Sequence, residues 1–183
     1  MNMSVDGFIA GPDDDMSWLS EHAADKDMAA YTHTIWNRAT TVVMGNANYE
    51  GFRHYWPGVA ADPDADPEYR AFACWLDDVE KVVLSRTRTS APWVNSRVES
   101  DLEGVFRRLR DQPGGDILVP NSASVIRALL TAGLLDELRL NVLPEVVGEG
   151  KRLFPGSLPR SSWTLTANTT LPTGAVGLTF VRR

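Results

Sequence analysis

Three short segments carry residue types that could grip an anion. Met44-Gly45-Asn46-Ala47-Asn48-Tyr49-Glu50 follows an apolar run. Its glycine permits a tight turn, and a helix starting there offers unpaired N–H groups. Leu84-Ser85-Arg86-Thr87-Arg88 brings hydroxyls and two guanidinium groups, and Val119-Pro120-Asn121-Ser122-Ala123-Ser124-Val125 opens a helical segment with small polar side chains. Together they could hold a multi-phosphate ligand, with Arg86 or Arg88 supplying the charge. Each has a plainer alternative: Gly45 ends a strand, Ser122 caps a helix, and the arginines are solvated surface. Neither a G-x-G-x-x-G after a strand nor a Walker loop is present. Among the acids, Asp13, Asp14 and Asp15 read as a solvated turn after Gly11-Pro12. Asp25 and Asp27 fall in the first turn of a helix, where the dipole favours a carboxylate without any function. Tyr31 stands four residues past Asp27, so the two could present a carboxylate and an aromatic wall to a flat heterocycle.

Other chemistries find no residues. His22, His33 and His54 form no H-E-x-x-H, and the single cysteine, Cys74, cannot build a Cys-rich zinc site, so no metal is expected. A G-x-S-x-G elbow and the zinc-deaminase signature are both missing. The 183 residues carry 18 Lys+Arg against 24 Asp+Glu, a net charge of −6. With a pI near 5.0, nucleic acid is not an expected partner, because phosphate neutralisation needs a basic face. No run approaches 18 apolar residues and no signal peptide is visible, so neither a membrane nor secretion is expected, and one cysteine agrees with the cytoplasm.

These segments need a scaffold. Thr40–Met44, Lys81–Leu84 and Asp116–Val119 are continuous apolar runs of the kind buried on both faces of a parallel sheet. Helices are predicted over Asp25–Asn37, Asn46–Arg53, Pro67–Asp77, Asp101–Asp111 and Ser122–Ala132, the last ended by Gly133. Pro57 through Pro67 reads as a surface loop, and Phe72, Cys74, Trp75 and Leu76 as core. After Gly133, Leu138–Leu143, Trp163–Thr166 and Val176–Val181 alternate with period two and predict antiparallel strands. The expected architecture is one α/β domain over 1–183, its mixed, mostly parallel sheet finished by an antiparallel C-terminal section. A first strand would begin right at Met1. Ligands of such sheets bind at the carboxyl ends of the parallel strands, which is where the three segments fall.

Ser4-Val5-Asp6-Gly7-Phe8-Ile9-Ala10-Gly11, Trp18, Val42-Val43-Met44-Gly45 and Tyr49-Glu50-Gly51-Phe52 resemble the dihydrofolate reductase fold. With Val82–Thr87, Gly114–Val119, Ser122–Leu130 and Val146–Phe154, the chain is most similar to the C-terminal reductase domain of the bifunctional riboflavin-biosynthesis deaminase–reductase. The resemblance covers nearly the whole chain in order. It implies a three-layer α/β/α fold and NADPH-dependent reduction of a pteridine-like or aminopyrimidine ring, in a cytoplasmic homodimer. Ile9 and Ala10 would touch the nicotinamide and Trp18 would close the substrate side. Gly45–Asn48 would meet the pyrophosphate region, Ser85 and Arg86 the adenosine end, and Asn121–Val125 the phosphates. Asp27 resembles the substrate-side acid loosely, because the loop before it differs in length.

The chain also departs from that family. Asn46 stands where relatives carry an arginine, Asn121-Ser122 where they often carry two glycines, and Val119-Pro120 where riboflavin reductases have an acid. Relative to the family the first strand is short. A second reading follows from these departures: a non-catalytic heterocycle-binding protein that has lost cofactor affinity.

Overall fold

Continuous β-branched runs satisfy their backbone groups best inside a sheet with both faces covered, and the computed structural model, which describes residues 1–23 and 25–183, puts them there. In chain order the elements are β1 (Asn2–Ser4), β2 (Phe8–Ala10), α1 (Ser20–Ala23), α2 (Lys26–Trp36), β3 (Ala39–Gly45) and α3 (Asn46–Ala61). There follow α4 (Pro67–Asp78), β4 (Glu80–Leu84), β5 (Ser96–Glu99), α5 (Leu102–Arg110) and β6 (Asp116–Leu118). The chain finishes with α6 (Ala123–Ala132), β7 (Glu137–Leu143), β8 (Lys151–Arg152), β9 (Trp163–Thr170) and β10 (Val176–Arg182). Two compact units result: residues 29–125, and residues 1–28 with 126–183.

The unit of residues 29–125 is built on an all-parallel sheet of order β5-β4-β3-β6. Val42, Val43, Met44, Val82 and Val83 are wholly inaccessible, as their unbroken apolar runs require. Tyr49, Leu76, Val79 and Trp93 complete the core, and the Tyr49 hydroxyl accepts the Trp93 N–H at 3.0 Å. Asp101 caps α5 by accepting the Gly104 N–H at 3.0 Å.

Two expectations fail in this unit. Pro57 and Gly58 belong to α3 and not to a loop. Proline costs the helix one hydrogen bond, but Trp56 beside it packs edge-on against Phe72, with ring centroids 4.7 Å apart, and lies parallel to Tyr69. That aromatic packing outweighs the local preference. Cys74 is exposed and faces away from the core that holds Leu76. The edge strand β5 was not predicted, since Ser-Arg-Val-Glu is half-buried along its length.

In the other unit a mixed sheet has the order β1-β7-β10-β9. The strands β1 and β7 are parallel, while β7, β10 and β9 run antiparallel as their alternation predicts. The strand β2 pairs with β8 in a two-stranded ladder. The parallel and antiparallel parts expected of one mixed sheet are thus two separately hydrogen-bonded sheets.

Candidate functional site

In the unit of residues 29–125, the carboxyl ends of β3 and β6 are joined by side chains. Ser122 is buried, and its hydroxyl accepts the Gly45 N–H at 2.9 Å. The Asn48 amide donates to the Pro120 carbonyl at 2.9 Å. A Cβ at Gly45 would come within 3.0 Å of Ser124 Oγ, so the absent side chain is what admits the 121–125 turn. Asn121 takes φ +48, a left-handed backbone that asparagine tolerates better than most residues. The missing glycine pair therefore does not prevent the turn. Gly45 precedes α3 with no side-chain cap, which leaves the first-turn N–H groups, on exposed Asn46 and Ala47, able to meet an anion. Ala123 is half-buried, Ser124 exposed and Val125 buried.

At the end of β4 the two arginines separate. Ser85 Oγ accepts the Arg88 N–H at 3.0 Å and the Thr87 N–H at 3.3 Å, folding the loop back. Arg88 then turns inward: Nε donates to Asn46 Oδ1 at 2.6 Å, Nη1 donates to the Ser90 carbonyl at 3.0 Å, and Nη2 pairs with Glu50. Its guanidinium lies over the Tyr49 ring. Hydrogen bonding from Arg53, with the charges of Arg53 and Arg88, outweighs desolvation and holds the Glu50 carboxyl below its ordinary range. Arg88 is thus spent on holding the start of α3, whereas Arg86 is exposed. A donor set of exposed helix N–H groups, small hydroxyls and one outward guanidinium suits a phosphorylated dinucleotide.

In the unit of residues 1–28 with 126–183, Ser4 organises the segment leading to Ile9 and Ala10. Its buried hydroxyl accepts the Phe8 N–H at 2.9 Å and donates to Asp6 Oδ1 at 2.5 Å. The Asp6 carboxylate also accepts the Gly148 and Val147 N–H groups at 2.8 and 3.2 Å. The Ser4 hydroxyl first, then those N–H groups, pull the Asp6 carboxyl down to about 2. Arg152 donates to the Asp6 carbonyl at 2.7 Å and covers the Phe8 ring. At Gly150 (φ +130) a Cβ would sit 2.2 Å from the Ala10 carbonyl oxygen, so only glycine lets that loop lie against β2. Ile9 is half-buried and Ala10 buried, both on this braced strand.

Trp18 lies half-buried in a short 3-10 turn, Ser17–Leu19, and its buried indole Nε1 has no hydrogen-bond partner among the described residues. Asp25 caps α2, accepting the Asp27 and Met28 N–H groups at 3.0 and 2.9 Å. Asp27 and Tyr31 are both half-buried and one turn apart on that helix. One residue escaped the sequence reading. Asn141 in β7 is buried, its Nδ2 donates to Asn2 Oδ1 at 2.8 Å, and its own Oδ1 has no partner among the described residues. Period-two alternation assigns Asn141 to the solvent face, and no local signal says that this face is covered too.

The model of the RibD C-terminal domain matches residues 1–176. The chain belongs to the RibD C-terminal domain family. Among its relatives, YyaP of Bacillus subtilis (strain 168), an uncharacterized protein, is 29% identical over 182 residues, 97% of this chain and 90% of that one. Among solved structures, a protein from Shewanella sp. PV-4 named for riboflavin biosynthesis is 19% identical with a TM-score of 0.73, over 100% of this chain and 96% of that one. RibD of Acinetobacter baumannii is 16% identical with a TM-score of 0.67, and this chain spans 56% of it. These likenesses show the RibD-type, dihydrofolate reductase-like α/β fold that the sequence predicts.

Proposed function

We propose that this RibD-type chain is a cytoplasmic, homodimeric, NADPH-dependent reductase of a pteridine-like or aminopyrimidine heterocycle. The joint at Gly45 carries the reading: a buried Ser122 hydroxyl and a left-handed Asn121 keep a donor-rich turn against the strand end although the glycine pair is gone. The N–H groups of Asn46, Ala47 and Asn48 and those of Ser122 to Val125 would hold phosphate. Ser85 shapes the loop from which Arg86 would meet a further phosphate at the adenosine end. NADPH, when bound, supplies a hydride from the nicotinamide C4. Ile9 and Ala10 would fix the nicotinamide ring by their braced backbone, since near-attack positioning supplies much of the rate of such a step. Trp18 would close the substrate side, Tyr31 would wall the heterocycle, and Asp27 or water would deliver the proton the reduced ring needs.

Titration with NADPH and NADH at low salt, followed by nicotinamide fluorescence, tests this directly. Micromolar NADPH binding is expected, with Arg86→Ala weakening NADPH roughly tenfold or more and NADH far less, as loss of one charged hydrogen bond implies. Binding of neither nucleotide up to millimolar would remove the reductase. It would leave the non-catalytic heterocycle binder, a reading favoured by Asn46, whose side chain brings no charge of its own and is held by Arg88.

A further inference from the structure

We infer that Arg88 is a positioning residue for nucleotide binding: it holds Asn46 Oδ1, so that the amide presents its N–H groups, and not its oxygen, to a phosphate at the start of α3. The inference rests on the proposed cofactor reading and deepens it by naming a side-chain donor and the residue that aims it. Arg88 Nε lies 2.6 Å from Asn46 Oδ1. A guanidinium donates and never accepts, so the amide atom that faces it must be the oxygen. Asn46 is exposed, and the arm of its amide that Arg88 does not hold is Nδ2, with two N–H groups.

The place of Asn46 gives that donor its use. It is the first residue of α3, directly after Gly45, and no side chain caps the helix there. Side chains lean toward the amino end of their helix, so the amide joins the first-turn N–H groups, which have no intrahelical partner. An amide oxygen turned the same way would repel the anion that those groups attract. Arg88 is itself fixed. Its Nη2 pairs with Glu50, its Nη1 donates to the Ser90 carbonyl at 3.0 Å, and its guanidinium covers the Tyr49 ring. Its backbone N–H donates to Ser85 Oγ at 3.0 Å. The Glu50 carboxylate, which also pairs with Arg53 at 3.0 Å, takes up the charge of Arg88. What Arg88 passes to the site is therefore the orientation of Asn46 and not a free charge.

Calorimetric titration of the full chain with NADPH reads this through Arg88→Lys. Lysine keeps a charge for Glu50 but gives up the planar guanidinium that grips Asn46 at the same time. Asn46→Ala should weaken NADPH about tenfold, as loss of a hydrogen bond to a charged group implies. Arg88→Lys should weaken it nearly as much, yet cost almost nothing further in the Asn46→Ala background, because both changes remove one contact. An arginine that merely held the fold would give the same loss in both backgrounds, and one that met the phosphate by its own charge would give none. Asn46→Asp keeps the oxygen that Arg88 grips and lacks the donor. It should bind NADPH about tenfold more weakly or worse with an unchanged or higher urea midpoint, and it carries the test if the other variants do not fold. Wild-type affinity in Arg88→Lys or in Asn46→Asp, or equal losses in both backgrounds, would overturn the inference and leave the cofactor reading standing. No binding of NADPH by wild type would remove both.

Discussion

Lys81, the second residue of β4, turns its side chain into the protein, where it is wholly buried. Its ammonium donates to carbonyls in the last turn of α4, at Leu76 and at Asp77 (3.3 Å), and to the Val79 carbonyl just past the helix (2.9 Å), and it sits over the Trp93 ring. A lysine thus caps a helix from a neighbouring strand, where cationic charge also meets the negative end of the dipole. Burial pushes its pKa down from 10.5 to about 8, against the opposing pull of Asp77 and Asp78. Below about pH 8 the folded chain bears the full cost of keeping this charge out of water. Between about 8 and 10.5 the folded state releases a proton that the unfolded chain still holds, so this group makes stability rise with pH there. Lys81→Met removes the titrating group and with it the cost of burying its charge, so it should abolish that rise, as urea unfolding at several pH values would show. Nothing in the sequence marks Lys81 as a cap, because its three acceptors converge only once α4 and β4 are side by side.

Elements were legible where burial pattern and length agreed. The strands β3 and β4 stand out as apolar runs because both faces of their sheet are covered. The strand β5 does not, since an edge strand of half-buried residues carries no such pattern. The helix α3 was predicted about two turns short because Pro57 and Gly58 read as a stop, a local rule that the packing of Trp56 overrides. Pro57→Ala is accordingly expected to stabilise the chain by about 1–3 kcal/mol, restoring a helical hydrogen bond that the aromatic cluster has no need to lose. A shift of the urea midpoint to higher concentration would bear this out, and a lower midpoint would mean that the proline ring itself packs. In the candidate site, Gly45, Asn121 and Ser122 were readable as turn residues, whereas the partition between Arg86 and Arg88 was not. It depends on Asn46 and Glu50, some forty residues away along the chain.

At the scale of the molecule, the family and fold were legible from motif order alone, because the matching segments span nearly the whole chain. The proposed homodimer has a natural place to form. The strand β9 is an edge of its sheet, eight residues long, uncharged, free of proline and exposed over all but its first residue. Such an edge is a template for another strand. Light scattering should give the mass of two chains at micromolar concentration, and Ala167→Lys, which puts charge on that edge, should give one. A wild-type mass of one chain would dispose of the dimer. The two units also differ in how the chain supplies them: residues 29–125 are one contiguous stretch, while the other unit joins residues 1–28 to 126–183. On the ribosome, the contiguous unit has all its residues before residues 126–183 are made. The strand β1, in contrast, must wait for β7, and closing that loop of over a hundred residues costs about 4 kcal/mol in chain entropy. Synthesis order thus gives the parallel sheet a head start, and β1, although made before that sheet, finds its place after it.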